Sequence, residues 1–159
     1  MGSVEWRLFH VLAVVLFLGN LTTSLFWAAR ASRTRNPAVV AHTFRSIRRS
    51  DLWFTLPGAF GIIVGGISAA LRMELSIFGT GWVVWAIGLL GIGLVVLATV
   101  RVGLQRDLQE LVGSGAGDEV PWKEYDLLYR YWRTWTWIAI AGPLGSVLLM
   151  TYRPPLPGF

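Results

Sequence analysis

The chain has 159 residues, of which 54% are hydrophobic and 14% charged, with nine tryptophans, no cysteine and a formal net charge of +5. A soluble domain carries about 25% charged residues, so the composition is that of a membrane protein, and the length suits one bundle rather than several domains. The lack of cysteine excludes disulfides, thiolate metal sites and thiol catalysis, and the positive charge comes without any nucleic-acid-binding motif.

A membrane-spanning helix needs about 20 mostly apolar residues. Four stretches qualify: Leu8–Ala29, Leu52–Leu71, Gly81–Val100 and Thr134–Tyr152. The expected fold is therefore an all-α, integral membrane four-helix bundle forming one transmembrane domain over residues 1–159. The first stretch has only Arg7 ahead of it. Its apolar run exceeds the roughly 7–15 residues of a signal-peptide core, so it reads as a retained helix.

Within the first span, His10, Ala13, Phe17, Asn20, Ser24 and Trp27 follow a 3-4-3-4 rhythm, which marks one helix face. Polar residues inside a membrane turn toward protein. This face is therefore expected to point into the bundle, with Val11, Val15, Leu18 and Leu25 largely elsewhere. Asn36 and Pro37 then read as a cap and first position of a new helix. Over residues 37–50 that helix is amphipathic, with Val40, Phe44 and Ile47 on one side and Arg45, Arg48 and Arg49 on the other. It is expected to lie in the cytoplasmic interface, where Asp51 would pair locally with Arg48 and Arg49.

In the second span Pro57 cannot donate to the carbonyl of Trp53, which predicts a kink. Gly58, Gly61 and Gly65 recur at helical spacing. Small residues let helix backbones approach closely, so this face is expected to pack tightly. Gly88 and Gly91 in the third span, and Gly142 and Gly145 in the fourth, are expected to supply similar flat faces. The third helix should run past Arg101 to about residue 112, until the glycines and proline of residues 113–121 form a cytoplasmic loop. Trp122, Tyr125, Tyr129 and Trp132 then line one face and are expected to form an interfacial aromatic belt. The proline-rich tail after Tyr152 cannot continue the helix.

Arg30, Arg33, Arg35, Arg45, Arg48, Arg49, Arg101, Arg106, Lys123, Arg130 and Arg133 fall on one side of this arrangement, against Arg7, Arg72 and Arg153 on the other. Positive loops stay in the cytoplasm. Both termini are thus expected on the outer, periplasmic side, with the chain in the bacterial cytoplasmic (inner) membrane as a multi-pass protein.

Candidate chemistry is sparse. A spanning helix is roughly 30 Å long, and it separates His10 from His42, so the two cannot share one metal. A haem iron on His10 would need its partner from the same outer half. Met73 and Met150 lie there, and His/Met is a known axial pair. The alternative is a hydrogen-bonded packing histidine; Ser68, the backbone beside the span-two glycines and Tyr152 are candidate partners at that depth. No Asp, Glu or Lys sits at mid-span, where a proton relay or coupled carrier usually needs one.

The segments "LFHVLAVVLFLGN", "NPAVVAHTFRSIRRSDLWFTLPGAFGIIVGGISAAL" and "RDLQEL … YRYWRTWTWIAIAGPLGSVLLM" together resemble the bacterial four-span predicted integral membrane protein family of unassigned function. The first span is also similar to that of the haem-containing protoporphyrinogen oxidases and the copper-resistance D-type membrane proteins, in which a histidine precedes a glycine by about nine residues, here His10 and Gly19. That similarity implies His10 as a ligand of haem b. It would also imply a lysine in the third span, which has none. Two functions remain open: a non-catalytic accessory or assembly subunit of a membrane complex, partnered in the bilayer by another membrane protein or a second copy, or a b-type haem protein in electron transfer or porphyrin oxidation.

Overall fold

The computed structural model describes residues 2–114 and 120–158. These form helices and their connections, with no strand among the described residues: α1 (Ser3–Thr34), α2 (Pro37–Ser50), a π-helical turn (Asp51–Thr55), α3 (Leu56–Arg72), α4 (Gly81–Val96), a second π-helical turn (Leu97–Arg101), α5 (Val102–Ser114) and α6 (Trp122–Tyr152). Because the π turns join α2 to α3 and α4 to α5, the chain makes four long rods, each apolar enough to cross a membrane. The protein is a four-span transmembrane helical bundle. Of the expected loop at 113–121, Gly113 and Ser114 end α5, and 115–119 lie outside the described residues.

The rods are longer than the spans read from the sequence. At 1.5 Å per residue, the 32 residues of α1 reach about 48 Å, against a hydrocarbon core of about 30 Å. The excess forms a helical core at the end of the bundle that carries the α1–α2 and α5–α6 connections, here called the loop end. At the first connection, Asn36 caps α2 by accepting from the backbone N–H groups of Ala38 and Val39 at 3.0 and 3.3 Å. Pro37 follows at the first helical position, where its missing N–H costs nothing. Burying Val40, Phe44 and Ile47 then removes the apolar stripe of α2 from water and folds it against α1 and α5.

That packing changes the role of the aromatic face on α6. Tyr125 and Trp132 are fully buried and Tyr129 nearly so, so they are a core ladder rather than an interfacial belt. Tyr125 stacks on Tyr129, Tyr129 on Trp132, and Phe44 of α2 meets Trp132 edge-on at 5.3 Å. The projecting parts of α1, α2 and α5 cover these rings, which the four spans alone could not do.

Two helix pairs pack closely over their length, α1 with α3 and α4 with α6. In the first, Gly58, Gly61 and Gly65 are buried. A Cβ on Gly61 would lie 2.8 Å from that of Ala13, and one on Gly65 would lie 3.0 Å from the His10 backbone. In the second, Gly142 lies against the backbone of Leu89 and Gly145 against its side chain. Gly88 and Gly91, expected to supply a flat packing face, are not on this contact: both are exposed, and among the described residues a Cβ on either would meet nothing within 4 Å. The close-packed glycine of α4 is Gly93, where a Cβ would stand 2.7 Å from Pro143 Cδ. It lies two residues beyond Gly91, because the face toward α6 runs through Val83, Ala86 and Gly93.

A similar drift occurs in α1. Its buried stripe passes through Ala13, Phe17, Leu21, Ser24, Leu25, Ala28 and Ala31. Leu25, expected elsewhere, is inside, while Trp27 is 54% exposed. A helix of 3.6 residues per turn falls progressively behind a 3-4 repeat, so the stripe continues at Ala28 rather than at Trp27.

Candidate functional site

His10 and Asn20, the two polar residues of the first apolar run, make different bonds. The imidazole Nδ1 of His10 lies 2.9 Å from the carbonyl oxygen of Ile62. That carbonyl can only accept, so Nδ1 carries a proton, and in the neutral ring Nε2 is left with a lone pair. Of the partners expected from sequence, the backbone beside the span-two glycines is the one used, and the ring rests against Gly66, where a Cβ would lie 3.1 Å from Cε1.

Asn20 belongs to a part-buried polar cluster. Its amide donates to Thr55 Oγ1 at 2.8 Å and to Asp51 Oδ1 at 3.2 Å. Thr55 in turn donates to the same Asp51 oxygen at 3.0 Å. The other carboxylate oxygen accepts from Arg101 Nη1 at 2.7 Å. The Arg101 side chain is 1% exposed and that of Asp51 16%. The guanidinium sits 5.3 Å from the centre of the Trp132 ring, whose face attracts a cation most strongly once water is excluded. Arg101 Nε and Nη2 and Gln105 Oε1 have no hydrogen-bond partner among the described residues, so the cluster keeps hydrogen-bonding capacity to spare. The expected local pairing of Asp51 with Arg48 and Arg49 is thus corrected to a tertiary ion pair.

Both ends of that pair are set by π turns. In the first, the Leu56 N–H bonds back to Asp51 O, a wider loop than the α-helical ring. This absorbs the disturbance from Pro57, whose missing N–H removes the bond to Trp53. The extra residue rotates Asp51 and Thr55 toward Asn20. Arg101 closes the second π turn. Such turns occur frequently at functional sites. Sequence reading missed the pair, although a signal was present: Asp51 and Arg101 stand at the same loop-end edges of the second and third apolar stretches.

A second ion pair closes the loop end. Arg35 donates through Nη1 and Nη2 to both oxygens of Asp126 at 2.8 and 2.9 Å. The carboxylate hydrogen bond holds the guanidinium above its ordinary value.

The remaining candidates stay apart. Met73 ends α3, seven residues beyond Gly66. That is about 10 Å along the helix axis, too far to share an iron with a ring resting on Gly66. Met150 is on α6, in the other helix pair. His42 is exposed on α2 and lines a groove with Asn20 and Ser46. Among the described residues, no three of His, Asp and Glu gather as a metal site.

The fold and the sparse, internally paired polar groups define a class, that of multi-pass integral membrane helical proteins. Within it, residues 6–154 match the family model described as "Predicted integral membrane protein (DUF2269)", and the chain belongs to that family. No curated protein and no solved structure matches the chain.

Proposed function

We propose that this protein is a non-catalytic accessory or assembly subunit of a membrane complex, held in the bacterial cytoplasmic membrane with both termini outside. The observation that carries this reading is the outer face of α4. Gly88 and Gly91 are exposed there with open space over them, flanked by exposed Trp85, Ile87, Ile92 and Val95. In lipid, association is driven by close backbone approach at small residues, and these glycines pack against no other helix among the described residues. The polar groups that chemistry would need are instead engaged in holding the fold, Asp51 with Arg101 and His10 with Ile62 O. A photo-crosslinking residue placed at Gly91 in native membranes tests the reading. A discrete protein adduct that Gly88→Leu abolishes supports it, with an adduct of twice the chain mass indicating a second copy. Adducts to lipid alone overturn it.

One observation favours a second reading. A histidine whose Nδ1–H is held by a backbone carbonyl presents Nε2 as a metal ligand, and His10 has that arrangement. His10 is the residue that would hold the iron of haem b, through Nε2 and without Met73. Bound there, the haem would supply one-electron chemistry. A Soret band in the purified protein that His10→Ala removes, with the melting temperature kept, decides for this reading.

A further inference from the structure

A groove of about 440 Å³ runs between α1 and α2, lined by Thr23, Trp27, His42 and Ser46 among others. Past Trp27 it continues into a hollow of about 400 Å³ bordered by Arg30 and Arg33. We propose that this continuous groove is a binding site for the headgroup of an anionic phospholipid with a polyol head, the arginines taking the phosphate and the hydroxyl-lined part taking the polyol.

Three features point to this chemistry, and none depends on the function proposed above. First, the cations are available. Arg35 is engaged by Asp126, whereas Arg30 and Arg33 have no carboxylate partner among the described residues. Arginine matches phosphate with paired N–H donors. Second, the polar groups are unused. Thr23, His42 and Ser46 make no hydrogen bond to protein among the described residues, although Ser24 and Ser50 beside them bond to their own helix. Hydroxyls that neither bond the helix nor pack inside it are suited to a ligand rich in hydroxyls. Third, the depth is right. Trp27 is exposed where the two hollows meet, and tryptophan favours the membrane–water boundary. From Thr23 to Arg30, α1 rises about 10 Å, close to the roughly 5–8 Å that a headgroup layer adds on each side of the hydrocarbon core. A choline head would bring a cation toward Arg30 and Arg33 and no hydroxyl to the groove. The phosphate–polyol chemistry is shared by soluble glycerol phosphate, so the test must separate the two.

Native mass spectrometry of the purified full chain in detergent does so, with phosphatidylglycerol and phosphatidylcholine of identical acyl chains as probes. Phosphatidylglycerol is expected to be retained about twenty-five-fold over phosphatidylcholine, since each of the two arginines is worth roughly a factor of five toward an anionic lipid. Arg30→Gln/Arg33→Gln should abolish that preference. Ser46→Leu, which changes no charge, should reduce phosphatidylglycerol retention with helix content unchanged. Arg106→Gln, on an exposed arginine of α5, should leave it intact. Equal retention of the two lipids overturns the proposal, as does a preference that survives both groove variants. Comparable occupancy by soluble glycerol 3-phosphate without lipid overturns the assignment to a membrane lipid.

Discussion

Arg101 carries a charge in surroundings where an unpaired charge would be expensive, and Asp51, Trp132 and the Asn20–Thr55 bonds together make the position tenable. Removing one partner of a buried pair leaves the other uncompensated, at a cost of about 3–5 kcal/mol, whereas an apolar replacement of both is often tolerated. Arg101→Met and Asp51→Leu should therefore each lower the melting temperature in detergent strongly, and the double variant should melt above either single one. Singles that melt like the parent would mean that the pair does not hold the fold. Glu74 offers the opposite test. It sits at φ 54° just after α3, where its N–H bonds to Leu71 O and that of Leu75 to Ala70 O. This is the Schellman arrangement, whose left-handed position favours glycine. A left-handed non-glycine residue costs roughly 1–2 kcal/mol, so Glu74→Gly should raise stability by about 1 kcal/mol, read as an upward shift in thermal melting.

Between elements, the two close helix pairs rest on glycines that are not equivalent. Gly61 faces Ala13 across α1–α3, and Gly88 faces no neighbour among the described residues. Overpacking a tight contact costs about 1–3 kcal/mol or more. Gly61→Leu should lower expression and melting temperature, while Gly88→Leu should leave the isolated protein unchanged. Equal melting of the two variants would remove the distinction between inner and outer glycine faces. Spacing showed the glycines, and it placed Gly58, Gly61 and Gly65 on one face of α3. It did not separate Gly93 from Gly88 and Gly91, because all lie in a uniformly apolar helix whose sequence has no polar side to mark which face is turned inward. The aromatic ladder was misassigned for a related reason. Rings at a membrane boundary and rings in a projecting helical core have the same spacing, and α2 and α5 decide which they are.

Across the whole molecule, four spans place both termini on the same side, and the orientation proposed above, which rests on eleven Lys and Arg residues on the loop side against three on the other, puts that side outside. A reporter active only in the cytoplasm should stay silent when fused at Phe159, and activity there would reverse the orientation. The sequence by itself determined the number of spans, the amphipathic α2 with its Asn36–Pro37 start, and the inward turn of His10 and Asn20. These follow from hydropathy, capping and periodicity, which act within a few turns of chain. Only the tertiary structure decided that Asp51 pairs with Arg101, that Thr55 joins Asn20, and that Trp27 faces out. The first pairing joins residues fifty positions apart through two π turns, and the extra residue in each turn rotates a side chain by an amount that no regular helical repeat encodes. The Trp27 difference accumulates over the length of α1, where 3.6 residues per turn departs from the heptad rhythm by about 20° per repeat.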